Sequence, residues 1–167
     1  MEILVLEKKI PNVYFLAAYT QNGRDGDIIP LSMARKEPLT KYLKRKRGTN
    51  GLGLFTTIPI KKGTYIIDYT GKILTAKDAD EKGGQYLFEI NSRWTIDGSS
   101  RKNLARYINH SCRPNCETDT KEREKRVVVN AKRNIKAGEE LTYDYGKTFF
   151  NEWIKPKGCR CEKCREK

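Results

Sequence analysis

The sequence has no cysteine before Cys112 and a single histidine, His110. It also lacks a glycine-rich loop followed by Lys-Ser or Lys-Thr, the pattern that cradles nucleotide phosphates. A Ser-His-Asp triad would have to be built around His110, which sits between Asn109 and Ser111. These absences argue against triad hydrolases and nucleoside triphosphatases.

Long hydrophobic runs are missing as well. The longest apolar stretch, residues 13–19, has seven residues, whereas about 20 are needed to span a bilayer. The beginning of the chain lacks the basic segment, apolar run and cleavage site of a secretory signal. We therefore expect no membrane partner and an intracellular protein, in the nucleus or on chromatin if eukaryotic and otherwise in the cytoplasm or nucleoid.

Acidic residues are fewer than basic ones: the chain has 34 Lys and Arg and 21 Asp and Glu, which gives a net charge of +13. The excess is spread along the chain, with one dense cluster, Lys44-Arg45-Lys46-Arg47. A field of this size favours polyanions such as nucleic acids. A surplus of solvated lysines that only keeps the protein soluble explains the charge equally well.

Short runs rich in Thr, Ile, Val and Tyr begin at Gly51 and alternate with Gly, Asn or Lys-Gly turns. This pattern is typical of β-strands. We predict strands over residues 54–57, 64–69, 72–74, 86–90, 94–96, 127–131 and 140–143, and helices over 76–82 and 102–108. The chain of 167 residues is thus expected to be mostly β with short helices, as one domain with a short appendage.

Three of the five cysteines lie close together, at positions 159, 161 and 164. An odd count and such tight spacing favour reduced thiols and a metal site over a disulfide framework. A flexible tail with three unliganded cysteines is the alternative. Tetrahedral zinc would need a fourth ligand.

Three blocks, in this order and spacing, resemble the SET-domain protein lysine methyltransferases: Gly51-Leu52-Gly53-Leu54-Phe55, Arg106-Tyr107-Ile108-Asn109-His110-Ser111-Cys112-Arg113-Pro114-Asn115 and Gly138-Glu139-Glu140-Leu141-Thr142-Tyr143-Asp144-Tyr145-Gly146. The last cysteines look like a post-SET zinc segment. The resemblance implies small sheets around a pseudoknot, formed by residues 109–115 and 138–145, with a C-terminal zinc-binding tail. It divides the chain into residues 1–44 with no assigned role, a SET domain over 45–147 and a post-SET segment over 148–167.

The resemblance implies S-adenosylmethionine as the methyl donor. The cofactor-binding residues carried over from the family are Gly51, Leu52, Gly53, Tyr86, Arg106, Asn109, His110 and Trp153. Glycines without a Cβ let the backbone approach a ligand closely. Phe149 and Phe150 are alternatives to Trp153 for the aromatic contact from the tail. Without the family, His110 would be interpreted as a structural histidine.

Methyl transfer needs a neutral lysine amine, aligned with the methyl group and shielded from water. Because an unperturbed lysine has a pKa of about 10.4, a narrow apolar channel must favour the neutral form. The resemblance implies Tyr145, Tyr143 and Tyr69 as catalytic residues, with Tyr145 nearest the methyl group, and Phe88, Tyr86 and Tyr143 as channel walls. A tyrosine at position 143 predicts mainly monomethyl product with some dimethyl.

The fourth zinc ligand implied by the resemblance is Cys112. The predicted metal ligands are therefore Cys112, Cys159, Cys161 and Cys164, which hold one structural zinc ion, and Cys116 is expected to be a buried thiol.

The expected function is methylation of a lysine in a basic protein, most readily a histone or histone-like tail, with nucleosomal or other DNA as a further partner through the basic surface. One alternative is a non-enzymatic chromatin or nucleic-acid-binding module on the same scaffold. The other is a methyltransferase that acts on a non-histone protein.

Overall fold

The computed structural model of the chain describes residues 37–48 and 50–166, together with the backbone of five short strands within residues 4–30. The chain divides into two compact units, Met1–Glu37 and Pro38–Lys167. Among the described residues, no helix is both long enough and apolar enough to cross a bilayer. The predicted domain boundaries at residues 44 and 147 stay predictions.

The first unit consists of short antiparallel strands. A three-stranded sheet has the order β1–β4–β5, and a separate pair joins β2 to β3. The strands are β1 (Leu4–Val5), β2 (Lys9–Ile10), β3 (Val13–Tyr14), β4 (Ala18–Gln21) and β5 (Ile28–Pro30).

The second unit contains two three-stranded sheets, β10–β11–β9 and β13–β14–β8, and two strand pairs, β6–β7 and β12–β15. Its strands are β6 (Leu43–Gly48), β7 (Gly51–Thr56), β8 (Tyr65–Tyr69), β9 (Lys72–Thr75), β10 (Leu87–Asn91), β11 (Trp94–Asp97), β12 (Asn109–His110), β13 (Cys116–Lys121), β14 (Arg126–Ala131) and β15 (Thr142–Tyr143). The α-helices are α1 (Ala76–Lys82), α2 (Lys147–Phe149) and α3 (Glu162–Arg165), and a π-helix, Phe150–Ile154, follows α2. Short 3₁₀ helices lie at Thr40–Tyr42, Leu104–Tyr107, Glu122–Glu124 and Lys155–Lys157. The predicted mostly β architecture with short helices is confirmed.

The core lies where β8, β14 and β7 meet the segment before β12. Ile66, Val127, Val129, Leu54 and Ile108 have no exposed surface. β14 is buried along most of its length because it is the central strand of its sheet and its Val-rich run packs on both faces. This core fixes the positions of the strand ends from which the site residues project.

One predicted helix and two unpredicted strands differ from the predictions. Within the predicted helix over residues 102–108, the structure has a shorter 3₁₀ helix, Leu104–Tyr107. The strands β6 and β13 were not predicted, since their many charged side chains resemble a solvated loop.

The parallel pair β12–β15 joins the two segments that were predicted to form the pseudoknot, with Asn109 opposite Thr142 and His110 opposite Tyr143. The buried Asn115 side chain reinforces this junction. Its Nδ2 donates to the Glu140 carbonyl at 2.8 Å, and its Oδ1 accepts from the Thr142 N–H at 2.8 Å. Tyr143 and the residues that follow it are therefore held against β12.

Candidate active site and metal centre

A cavity of about 820 Å³ lies among the β6–β7 hairpin, the start of β10, residues 106–110 and the tail. Ten of the twelve residues predicted for catalysis, cofactor or substrate line it: Leu52, Tyr69, Tyr86, Phe88, Arg106, Asn109, His110, Tyr143, Tyr145 and Trp153. Gly51 and Gly53 are not among the lining residues. The structure thus brings the predicted residues together, while their individual roles stay predictions.

Three tyrosines and a phenylalanine form one wall of the cavity. The ring centroids of Tyr143 and Tyr145 are 4.9 Å apart, and Phe88 lies 5.3 Å from Tyr69 and 6.4 Å from Tyr143. The Tyr145 hydroxyl donates to the Ile108 carbonyl at 2.7 Å. The Tyr69 hydroxyl donates to the Tyr86 carbonyl at 3.0 Å. Both hydroxyls are therefore held in fixed orientations by the backbone.

Burial raises the pKa of all three tyrosines, Tyr69, Tyr143 and Tyr145, well above the ordinary value. They are neutral phenols at physiological pH, so none of them is a general base. The wall presents no negative charge to an incoming ammonium group, and an apolar surrounding favours the neutral amine over the charged one.

Arg106 supplies positive charge at the same cavity. Its guanidinium stacks on the Tyr86 ring at 4.0 Å from the centroid, and one terminal nitrogen donates to the Ser99 carbonyl. Its Nε is buried and has no hydrogen-bond partner among the described residues. Three further cations, Arg45, Arg101 and Lys157, also line the cavity. This arrangement suits a ligand with an anionic group, and sequence reasoning singled out only Arg106.

Gly53 faces a carboxylate rather than the cavity. A Cβ at this position would overlap the Glu140 side chain. Asn109 Nδ2 donates to Glu140 Oε1 at 2.6 Å and to the Leu52 carbonyl at 3.3 Å. Glu140 thus holds the Asn109 side-chain amide next to the β6–β7 hairpin. The sequence motifs did not predict this role, although Glu140 belongs to the block of residues 138–146 that resembles the family.

The four predicted metal ligands lie in one cluster. The sulfur atoms of Cys112, Cys159, Cys161 and Cys164 all lie within 4.8 Å of one another. Cys112 Sγ is 3.8 Å from Cys159 Sγ and 3.7 Å from Cys164 Sγ. Tetrahedral zinc with Zn–S bonds of about 2.3 Å places its sulfurs about 3.8 Å apart. The donor set therefore fits a single zinc ion.

The thiols of the cluster differ in how readily they ionise without a metal ion. Burial opposes ionisation of the thiols and raises the pKa of Cys112 and Cys159. For Cys161, backbone N–H groups of Cys112 and Cys164 outweigh burial and lower the pKa to about 6. A bound dication deprotonates coordinating thiols outright. Cys116 lies outside the cluster and is fully buried, as predicted.

His110 connects the cysteine cluster with the tyrosine wall. Its Nδ1 accepts from the Tyr145 N–H at 3.3 Å, and its Nε2 lies 3.5 Å from Cys112 Sγ. Because Nδ1 is an acceptor, the proton sits on Nε2 and points toward the sulfur. Burial lowers the pKa of His110 and keeps the ring neutral. The imidazole therefore ties the metal-ligand loop to the backbone of Tyr145.

Aromatic side chains of the tail pack next to Tyr145 and His110. Phe149 contacts Tyr145 edge-on with centroids 4.9 Å apart and stacks on Trp153 at 6.1 Å. Phe149 and Trp153 both line the cavity, whereas Phe150 packs against His110. Trp153 keeps 39% of its surface exposed. Either Phe149 or Trp153 can supply the predicted aromatic contact from the tail.

Comparison with known proteins agrees with this geometry. The SET domain family model matches residues 51–146. The histone-lysine N-methyltransferase set1 of Dictyostelium discoideum is 36% identical over 150 residues, 82% of this chain and 10% of its own length. The histone-lysine N-methyltransferases trr of Drosophila melanogaster and 2D of Homo sapiens are each 38% identical over 136 residues, 75% of this chain and 6% and 2% of their lengths.

This chain thus spans a tenth or less of the lengths of these relatives. The family match covers more than half of the chain and includes the strands that carry the tyrosine wall. The predicted SET-domain fold is therefore confirmed, and the chain belongs to the SET domain family.

Proposed function

We propose that this chain is an S-adenosylmethionine-dependent protein-lysine N-methyltransferase that acts on a histone or another basic protein of chromatin. The observation that carries the proposal is the cavity itself, in which two buried tyrosines, Tyr69 and Tyr143, and the partly buried Tyr145 lie with a cluster of cations. The relatives, which are histone-lysine N-methyltransferases by name, support the same reaction.

The cavity offers complementary groups for each part of the cofactor. S-adenosylmethionine supplies an electrophilic methyl group on a sulfonium. Arg106 and its neighbouring cations suit the carboxylate of the methionine part, and Leu52, Phe149 and Trp153 offer apolar surface for the adenine. Asn109 and His110 contribute to cofactor binding mainly through their backbone groups, since their side chains already form hydrogen bonds with Glu140 and with the Tyr145 N–H.

The substrate lysine has to lose its proton to water before its lone pair can attack. The Tyr143, Tyr145 and Phe88 rings shield the amine from water and favour its neutral form. The Tyr145 and Tyr69 hydroxyls donate to backbone carbonyls, so their oxygen lone pairs are left to face the cavity as acceptors. These oxygens orient the polarised methyl and the amine that receives it.

We propose that the main product is monomethyl-lysine, with some dimethyl-lysine. Tyr143 is 6% exposed and its ring packs between Tyr145 and Phe88. A hydroxyl at this place holds a water or the amine by a hydrogen bond and occupies the space that a methylated nitrogen needs to turn.

The basic net charge has a consequence for the substrate. A protein with a charge of +13 repels a free cationic peptide at long range. Local acidic residues offset this only in part; the exposed candidates are Asp78, Asp80 and Glu81, or Glu117, Asp119, Glu122 and Glu124. We therefore propose that a substrate complexed with nucleic acid binds better than bare peptide at low salt, with an advantage that shrinks as salt rises.

A non-enzymatic chromatin-binding module is the second candidate function, and the basic charge favours it. The two oriented hydroxyls, those of Tyr145 and Tyr69, favour turnover, since binding of a lysine side chain needs aromatic rings but no hydroxyls held in place. A methyltransferase of a non-histone protein uses the same chemistry and differs only in its substrate.

Incubation with isotope-labelled cofactor and, in separate reactions, nucleosomes, free histones and a whole-cell extract tests the proposal. Mass spectrometry of the labelled proteins should locate methyl groups on lysine ε-amines. Cofactor binding without label transfer to any protein would instead support the binding module.

A further inference from the structure

The basic charge of this protein belongs entirely to its second unit. Residues 38–167 hold 29 of the 34 Lys and Arg residues and 16 of the 21 Asp and Glu residues, a net charge of +13, so residues 1–37 are neutral. Within this unit, β6 carries Lys44, Arg45, Lys46 and Arg47 in succession, and all four are exposed. Lys41 is exposed in the turn before the strand.

Aromatic rings, rather than carboxylates, lie against three of these five cations. Lys41 lies over the Tyr42 ring at 4.9 Å, Arg45 over the Tyr107 ring at 5.3 Å and Lys46 over the Phe55 ring at 5.7 Å. Stacking on a ring restrains a cation and leaves its charge uncompensated.

Other basic side chains of the unit are neutralised by acids. Lys82 pairs with Asp97 at 3.3 Å, Arg126 with Asp68 at 3.0 Å and Arg133 with Glu139 at 2.8 Å. Among the ion pairs between described residues, none involves residue 41 or residues 44–47. The β6 cations therefore form a cluster of positive charge for which the described residues show no ion pair.

The strand lies at an edge. β6 pairs with β7 in register from Leu43 to Gly48, and the described residues show no backbone partner on its other side. Lysines on an edge strand discourage unwanted strand pairing, which explains the charge but not the aromatic supports. The exposed part of β6 carries no apolar side chain, whereas protein–protein interfaces depend on buried apolar and aromatic anchors.

We propose that this basic strand, residues 41 and 44–47, binds the phosphate backbone of duplex DNA. Arg45 belongs both to the strand and to the cavity wall, so DNA bound here places a DNA-associated protein beside the cavity. In that sense the proposal rests on the proposed function and specifies how a nucleosomal substrate is captured. The binding is electrostatic and independent of base sequence.

The test measures fluorescence anisotropy of a short labelled DNA duplex over a range of salt concentrations. The variant combines Lys44→Gln, Lys46→Gln and Arg47→Gln and leaves Arg45 in place because it lines the cavity. The matched control combines Lys61→Gln, Lys62→Gln and Lys132→Gln, which remove the same charge from exposed positions elsewhere. Circular dichroism verifies that both variants are folded.

We expect the β6 variant to bind DNA at least about 10-fold more weakly than wild type at low salt, and its log–log salt slope to fall by about 2 to 3, the loss of about three phosphate contacts. The DNA affinity of the control should fall by about 3-fold or less. Methylation of a short free peptide should be the same in the β6 variant as in the control, because both lose the same net charge, and this comparison separates DNA capture from catalysis.

Equal losses in the two variants would mean that the charge acts diffusely and would overturn the proposal, as would unchanged DNA binding in the β6 variant. A selective loss of affinity for an acidic peptide, with DNA affinity retained, would reassign the strand to a protein partner. If wild type binds DNA through β6 yet methylates no substrate, the proposed function fails and this inference stands.

Discussion

At the scale of single residues, the Tyr145 hydroxyl is both a structural donor and the proposed contact to the reacting groups. Tyr145→Phe removes the bond to the Ile108 carbonyl, which costs about 1 kcal/mol and lowers the melting temperature by roughly 2–4 °C. Loss of a transition-state contact should reduce turnover by about 10²-fold or more. Turnover is measured with labelled cofactor, and cofactor affinity by calorimetry should stay near wild type.

Tyr65→Phe is the matched control, since the Tyr65 hydroxyl donates to Asp68 at 3.0 Å and does not line the cavity. It should show a similar loss of stability with normal turnover. Near-normal turnover in Tyr145→Phe would remove this hydroxyl from the mechanism.

Tyr143 determines the number of methyl groups if its hydroxyl occupies space beside the amine. Tyr143→Phe keeps the ring and removes the hydroxyl, so the variant should remain active and shift its products toward di- and trimethyl-lysine. Mass spectrometry of a long incubation gives the distribution. An unchanged distribution, or wild-type product that is already mainly trimethyl-lysine, would contradict the steric argument.

The sequence motifs predicted most of the cavity residues because these residues cluster in a few blocks. They did not predict the contact between Glu140 and Gly53, nor the position of Arg45 at the cavity wall. Both depend on strand register, which places residue 46 opposite residue 53 and residue 55 against residue 140. Pairings between distant segments cannot be deduced from residue types alone.

At the scale of elements, the Asn115 side chain forms the hydrogen bonds that hold the segment after β12 against β15. Asn115→Ala removes two hydrogen bonds of a buried side chain and leaves the Thr142 N–H and the Glu140 carbonyl without this partner. The expected loss is about 2–4 kcal/mol in the free energy of unfolding, measured by denaturant titration. Cofactor affinity should fall as well, because Tyr143 and Tyr145 lose their support.

The exposed Asn134 provides the comparison, since its Oδ1 accepts one backbone bond from the Lys62 N–H at 2.9 Å. Asn134→Ala should cost less than about 1 kcal/mol. Similar losses in the two variants would show that the Asn115 bonds contribute no more than a surface contact.

Strands with alternating or continuous apolar residues were predictable, as β8, β11 and β14 illustrate. β13, with the sequence CETDTK, was not, since only Cys116 in it is buried and the rest face solvent or lie half-buried at an edge. β6 was missed for the same reason. Such strands form because a neighbour offers backbone partners, and a single sequence does not contain that information.

At the scale of the whole molecule, the cysteine cluster fastens the tail to the segment after β12. Purified protein should contain about one zinc per chain by elemental analysis. Cys164→Ser or a strong chelator should release the metal, loosen Phe149 and Trp153 from the cavity and abolish activity. Cys116→Ala, outside the cluster, should retain the metal. A metal-free protein with full activity would refute this role of the tail.

The parallel pairing of β12 with β15 also has a consequence for the time course of folding. The Tyr145 hydroxyl meets a carbonyl 37 residues earlier in the chain, and Cys164 meets a sulfur 52 residues earlier. Contacts of such long range form late, because the entropy of closing the intervening loops is lost before any contact compensates for it. During refolding, the far-UV circular dichroism of the hairpins β6–β7, β10–β11 and β13–β14, whose paired strands are close in the chain, should therefore return before the capacity to bind cofactor. The site is assembled last, so a chain interrupted on its way to the native state is inert rather than partly active.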